Sequence, residues 1–387
     1  MENFMYHIPT KVYFGKGEIN KLGGAIKEYG NRVLLVYGGG SIKKSGLYDT
    51  VTRILKENNI YYEELAGVDP NPRVTSVEAG VKICREKNIE VMLPVGGGSA
   101  IDCAKLIAAA THTGSDDIWG VVTGKVAIQE VLPVITVLTI AATGSEMDTS
   151  AIITNLETNE KTGPANPGMR PKVAIMDPEY TFSVPPKQTA AGTADIISHA
   201  LEVYFNNVKG AYLQSRFAEA VLKTCVKYGH IAYNNPENYE ARANLMWASS
   251  WAINGLLTKG APVGWSCHAM EHELSAYYDI VHGVGIAILI PHWLKHMMRE
   301  DNLWKYVDYG VNVWGIDSKL PEIEIAERAI EATAEFFRAL GLPSSLKEVG
   351  IDRTKFDIMA EKAGSGLKKA FVSMDEKDVK AIFEKAL

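Results

Sequence analysis

One tetrapeptide occurs twice in the chain, as Gly38-Gly39-Gly40-Ser41 and as Gly96-Gly97-Gly98-Ser99. Each copy closes a short apolar run, VLLVY at 33–37 and VMLPV at 91–95, and each opens a stretch whose apolar residues recur at helical spacing. Apolar runs without alternation read as strands buried on both faces, which a parallel sheet covered by helices provides. Glycines at such a junction let backbone N–H groups approach a phosphate, with the positive end of a helix dipole behind them. A plain tight turn also uses glycine. Two such turns at the carboxyl ends of strands in one sheet nevertheless point to a dinucleotide site. Neither copy fits G-x-G-x-x-G, the usual Rossmann fingerprint. A third turn runs from Thr139 through Thr143, Gly144 and Ser145 to Glu146 and adds hydroxyls at the same sheet edge. It closes over a pyrophosphate or caps a helix.

The same alternation fills residues 1–185. Strands are expected at 11–15, 33–37, 60–65, 91–95, 134–138 and 173–176. Helices are expected at 18–29, from the first glycine turn to about 58, at 74–87 and at 100–111. After Pro185-Pro186 the pattern changes to long helical runs at 187–206, 210–230, 237–256, 265–276, 283–299, 322–340, 353–365 and 375–387. The expected fold class is therefore α/β plus all-α, with an α/β domain over 1–185 and an all-helical domain over 186–387. At 387 residues the chain can bury a large core in two domains.

Charge and cysteine usage exclude several functions. A net charge of -6 lacks the basic field that nucleic acid or an anionic membrane requires. The four cysteines, Cys84, Cys103, Cys225 and Cys267, have no CxxC spacing and build neither a disulfide framework nor a thiolate zinc site. The amino terminus has no apolar signal core, and the chain reads as cytoplasmic.

Five of the nine histidines fall within 268–296: His268, His272, His282, His292 and His296. Histidine is the commonest metal ligand, and two readings compete. His268-Ala269-Met270-Glu271-His272 matches H-x-x-E-H, with two ligands on one helix face and Glu271 as general base. Alternatively Asp195 and His199, also four apart in a helical run, combine with His268 and His282 into a site of three imidazoles and one carboxylate.

Taken together, these features resemble the iron-containing, metal-dependent alcohol dehydrogenase family, most closely its butanol dehydrogenase branch. The matches are Phe14-Gly15-Lys16-Gly17, Gly96 to Ser99 with Asp102, Thr139 through Glu146, Asp177-Pro178, Asp195 to His199, and His268 to His282. Their joint order spans nearly the whole chain. The resemblance implies a Rossmann-like amino-terminal domain, a helical carboxy-terminal domain and a homodimer. It implies a divalent ion, Fe(II) first and Zn(II) second, on Asp195, His199, His268 and His282. His272 then corresponds to a histidine near the nicotinamide, a candidate proton relay. Asn71, Asp102, Thr139, Thr143, Ser145 and Lys161 match positions lining the cofactor, beside the two glycine turns. On this reading the H-x-x-E-H match is a coincidence of helical spacing, since a protease leaves the glycine turns unexplained.

The implied reaction is RCH2OH + NADP+ ⇌ RCHO + NADPH + H+ with a small primary alcohol such as butanol. Members that prefer NAD carry an acidic residue just after the first strand; here Gly38 to Ser41 precede Lys43 and Lys44 with no carboxylate, so NADP(H) is expected over NAD(H). A dehydroquinate-synthase-like or glycerol-dehydrogenase-like zinc enzyme is the alternative. The former needs inward Lys and Arg, whereas Trp247, Trp251, Trp265, Tyr277 and Tyr278 around the histidines favour a small apolar substrate. A nucleotide-sensing binding protein would need the four ligand positions to be vestigial.

Overall fold

The computed structural model describes residues 1–208 and 210–387. It divides into two compact units, one formed by residues 7–184 and 236–250 and the other by residues 1–6, 185–235 and 251–387. Two segments therefore depart from a single cut near residue 185: residues 236–250 belong to the α/β unit, and the first six residues to the helical one.

The α/β unit runs β1 (Lys11–Phe14), α1 (Leu22–Lys27), β2 (Arg32–Val36), α2 (Ser41–Lys44), α3 (Leu47–Glu57), β3 (Tyr61–Leu65), α4 (Val74–Lys87), β4 (Val91–Gly96), α5 (Gly98–Ala110), α6 (Ile118–Val122), β5 (Ile135–Leu138), β6 (Ile153–Asn155), β7 (Glu160–Thr162) and β8 (Val173–Met176). The six-stranded sheet has the order β1-β8-β5-β4-β2-β3, and every pairing is parallel. Side chains alternate as the pleat requires. Leu34, Val36 and Met92 pack under α4 and α5, while Val33, Leu35, Val91 and Leu93 pack toward α1 and α3. Both faces are covered, which is why these strands read as unbroken apolar runs.

The chain winds from β2 outward to β3, then crosses back over β2 to β4 and continues to β5 and β8. The direction of winding thus reverses between β2 and β4. These are the two strands that end in the glycine tetrapeptides, and such a reversal is where open α/β sheets bind ligands. The expected helix after the first tetrapeptide is broken in two, because Gly46 adopts a left-handed φ of 78° ahead of α3. The β6–β7 hairpin and α6 were not expected; their segments are short, polar or broken by glycine.

The helical unit contains α7 (Pro186–Tyr204), α8 (Tyr212–Asn234), α10 (Ser266–Tyr278), α11 (His282–Met297), α12 (Leu303–Trp314), α13 (Glu322–Ala339), α14 (Phe356–Gly364) and α15 (Glu376–Lys385), while α9 (Tyr239–Ile253) begins in the α/β unit. Pro186 occupies the first turn of α7, where its missing N–H costs nothing. From Thr189 to Tyr204 every residue of α7 is buried, marking it as the central helix of this unit. The unexpected α12 is rich in aromatic and β-branched residues, poor helix formers. It forms because Tyr306, Tyr309, Gly310 and Val313 bury one face, with Gly310 lying against Ile325 of α13. None of the described helices is long and apolar enough to cross a membrane.

Candidate metal centre and cofactor turns

Three helices bring the predicted metal residues together. Asp195 and His199 lie one turn apart on α7, His268 lies in the first turn of α10, and His282 opens α11. Asp195 Oδ1 is 3.4 Å from His282 Nε2, 3.6 Å from His199 Nε2 and 3.8 Å from His268 Nε2. One ligand atom each from Asp195, His268 and His282 falls within 4.8 Å of the others. His199 joins through Asp195 and through its ring, which stacks on His268 with centroids 4.7 Å apart. The spacing is set by backbone contact: a Cβ at Gly283 would lie 2.0 Å from the carbonyl oxygen of Ala191 on α7.

The donor atoms fit a cation better than they fit each other. Asp195 Oδ1 and His268 Nε2 are both buried and have no hydrogen-bond partner among the described residues. Their separation of 3.8 Å is too long for a hydrogen bond. Two ligands held about 2.0–2.2 Å from one ion lie roughly 3–4 Å apart, which matches all three distances to Asp195.

Two further carboxylates stand behind the imidazoles. His268 Nδ1–H donates to Glu202 Oε2, and His282 Nδ1–H donates to Glu271 Oε2. Glu202 is 3% exposed and Glu271 is fully buried. Each bond turns the other ring nitrogen, Nε2, toward Asp195. Burial opposes charge on Asp195, but the facing imidazoles of His199, His268 and His282 outweigh it and hold the carboxyl well below the usual range. Burial pushes His199 down to about 3, against the pull of Asp195. For His268 burial works in the same sense, yet Glu202 and Asp195 prevail and raise it to about 10. The two imidazoles diverge because His268 has a carboxylate on both sides and His199 has one.

The H-x-x-E-H pentapeptide resolves accordingly. Glu271 is engaged with His282 Nδ1 and with Ser275 Oγ, which leaves it no role as a poised base. His272 is half-buried at the margin, its ring centroid 5.7 Å from that of His282 and 6.2 Å from that of His268. His296 lies apart, bonded to Asp378 at 2.9 Å. Of the aromatic residues, Trp265 stands edge-on to His199 and His268 at 6.0 and 5.4 Å. Trp247 instead packs on Phe14 within the α/β unit.

In that unit the predicted cofactor residues gather at the carboxyl ends of β2, β4 and β5. Gly38, Gly39, Gly40 and Ser41 follow β2, and Gly40 needs its left-handed φ of 101° to start α2. Lys43 lies over the rings of Tyr37 and Tyr48, 5.2 and 4.7 Å from their centroids, and both phenols donate to Glu64. Lys43 therefore packs on two rings beside the turn while its side chain stays exposed. After β4, a Cβ on Gly97 would strike Ile140, and one on Gly98 would strike Thr143. Glycine is required at both because the Thr139–Glu146 segment packs directly on the start of α5. Thr139 N–H donates to Gly96 O at 3.0 Å. Ser99 Oγ donates to the carbonyl of Pro70, beside the buried Asn71. Asp102 accepts from Ser145 Oγ, and Ser145 N–H donates to Thr143 Oγ1 at 3.2 Å. Lys161 sits on β7 opposite Thr154, whose N–H donates to Pro72 O at 2.8 Å, so the hairpin is anchored beside the same loop.

Sequence reasoning does not single out Glu202, and it singles out Glu271 only as a general base of H-x-x-E-H, not as a partner of His282. Glu202 lies three residues after His199 yet serves His268, a partner no spacing rule identifies. The one available signal was its place at Asp195 + 7, on the same helical face.

Comparison with known proteins agrees over the full length. Residues 9–178 match the profile of the iron-containing alcohol dehydrogenases, and residues 189–387 match that of the carboxy-terminal domain of the Fe-containing alcohol dehydrogenase family. The chain is 56% identical over 389 residues to NADH-dependent butanol dehydrogenase A of Clostridium acetobutylicum, covering 100% of both proteins. It is 38% identical to the NADPH-dependent aldehyde reductase YqhD of Escherichia coli, covering 94% of this chain and 93% of that one. The crystal structure of NADH-dependent butanol dehydrogenase A from Thermotoga maritima superposes with a TM-score of 0.95 at 38% identity, covering 100% of this chain and 99% of that one. The chain belongs to the iron-containing alcohol dehydrogenase family.

Proposed function

We propose that the protein is a metal-dependent alcohol dehydrogenase and aldehyde reductase. It interconverts a small primary alcohol such as butanol with its aldehyde, uses NADP(H) in preference to NAD(H), and holds Fe(II) on Asp195, His199, His268 and His282. The observation that carries this reading is the pair of buried, partnerless donors, Asp195 Oδ1 and His268 Nε2, with His282 Nε2 beside them. A bound divalent ion and a nicotinamide would supply Lewis-acid polarisation of the alcohol or aldehyde oxygen and a hydride carrier, respectively.

The chain's own residues do the remainder. Asp195 contributes the negative charge that favours a divalent ion over a second proton. His268 and His282 have their Nδ1–H groups committed to Glu202 and Glu271, which leaves Nε2 as the atom each would offer to a metal, and an ion held there would take the place of a proton on Nε2. His272, at the margin of the cluster, relays the proton that the alcohol hydroxyl loses or the aldehyde oxygen gains. In the α/β unit the two glycine turns flank the winding reversal and would receive the pyrophosphate. Gly38 to Ser41 carry no acid to repel a 2′-phosphate, and Lys43 stands at the turn to attract one. Relatives named for NADH and for NADPH both exist, so the preference rests on these residues and not on kinship.

Metal analysis of anaerobically purified protein, combined with oxidation of each reduced cofactor by butanal, tests the reading. One iron per chain and faster turnover with NADPH are expected. Zinc at the same stoichiometry would correct the ion, and equal kcat/KM for the two cofactors would remove the preference. A homodimer in the cytoplasm completes the reading, supported by the family resemblance and by four buried free thiols. Sedimentation at the mass of one chain would refute the dimer.

A further inference from the structure

Asp195, His199 and Glu202 recur at i, i+4 and i+7 on α7, so one helical face delivers two ligands and a carboxylate that is not one. Glu202 spends both oxygens on α10. Oε1 accepts the Cys267 N–H at 2.6 Å, and Oε2 accepts the His268 N–H at 3.2 Å together with His268 Nδ1–H. The backbone donors are among those a helix start leaves unsatisfied, so the residue that orients His268 also pins the turn carrying it. Glu271 repeats the arrangement one helix further on: projecting from α10, it holds His282 at the start of α11. Each helix thus fixes the ligand of the next, α7 to α10 to α11.

His199 lacks such a tether. Its Nδ1 is buried and partnerless among the described residues; its Nε2 faces Asp195 at 3.6 Å, and its ring is stacked on His268 and edge-on to Trp265.

We infer that Glu202 and Glu271 are positioning residues that set the affinity of the metal site, and that the grip is graded, tight through Asp195, His268 and His282 and loose through His199. A carboxylate on Nδ1 fixes the tautomer whose lone pair is on Nε2, restricts ring rotation and makes the imidazole a stronger donor. Two of the three imidazoles have that support. This inference rests on the metal reading above.

The test is competition between a chelator and full-length protein for Co(II), whose visible absorption reports ligand geometry. Wild type is expected to bind one ion per chain. Glu202→Gln and Glu271→Gln should each weaken binding about 10–100-fold and alter the Co(II) band. Glu219→Gln, at another buried carboxylate of the same unit, should leave affinity and band unchanged, which separates orientation of the ligands from general loosening. His199→Ala should lose less affinity than His268→Ala or His282→Ala. Wild-type affinity and spectrum in both glutamine variants would overturn the positioning role, and a loss in His199→Ala equal to that in His268→Ala would overturn the gradation. Because the two glutamates lie on different helices, one variant carries the test if the other fails to fold. No Co(II) binding by wild type would instead defeat the metal reading itself.

Discussion

Ser145 Oγ donates to Asp102 Oδ1 at 2.5 Å, and Asp102 Oδ2 accepts the Ile152 N–H at 3.0 Å. One carboxylate on α5 therefore ties down both ends of the segment that leads from the third turn to the β6–β7 hairpin. Both oxygens accept a bond from within the protein, so Asp102 holds the shape of this segment. Asp102→Ala is expected to raise the KM for the nicotinamide cofactor about tenfold, on the scale of one or two lost hydrogen bonds to a charged group, while leaving metal content intact. Steady-state kinetics at saturating butanal together with metal analysis check this; an unchanged cofactor KM would count against it.

Glu146 predicts a pH dependence of stability. Burial raises its carboxyl from the ordinary 4.5 to about 7, and hydrogen bonding from Ser250 only partly offsets this. Between those two values the folded chain keeps a proton that the unfolded chain gives up, so stability falls as pH rises through that window and is level above it. Glu146→Gln removes the titration while keeping a carbonyl to accept from Ser250. Its stability relative to wild type should grow from pH 4.5 to pH 7 by up to about 3 kcal/mol. Urea denaturation of both proteins at pH 5 and pH 8 measures the difference, and a constant offset would rule the effect out.

Gly39 offers a clean test of cofactor choice. A Cβ built there meets nothing within 4 Å, and its φ lies outside the left-handed region that Gly40 occupies. Gly39→Asp should therefore fold without strain and set a carboxylate where a 2′-phosphate would lie. A fall in kcat/KM with NADPH of about tenfold or more is expected, with the value for NADH held or improved. Equal losses with both cofactors would show that the turn does not discriminate them.

His272 carries a prediction separable from the metal. Because it lies beside the cluster and not in the close set around Asp195, His272→Ala should retain the ion while kcat falls by about 10²-fold or more, the usual scale for a positioned acid–base group. An unchanged kcat with an unchanged pH profile would end the relay role.

How far these conclusions were legible beforehand varies with the physics behind each element. Residues 74–87 and 173–176 match their helix and strand to the residue, the first by apolar residues at helical spacing and the second as an unbroken apolar run closed by Asp177-Pro178. The β6–β7 hairpin could not be read. Thr154 and Lys161 are buried opposite each other in that pairing, and Thr154 also bonds to Pro72, far away in sequence. Likewise α12 is made helical by packing on α13, against its own propensities. At the candidate site, His199 is four residues from Asp195, so helical periodicity alone reports their proximity. Glu271 misled for the same reason: spacing put it on the face of a known motif, whereas its oxygens serve His282 on the following helix. Local period is visible in a sequence; which carboxylate a distant imidazole faces is decided by how helices cross.

The seam at Gly283 bears on any attempt to re-engineer this enzyme. A methyl group there would collide with the main chain of α7, so α11 would have to retreat bodily, carrying His282 away from Asp195. Residue 283 thus works as a mechanical stop, and even alanine there would cost the alignment of His282 with Asp195.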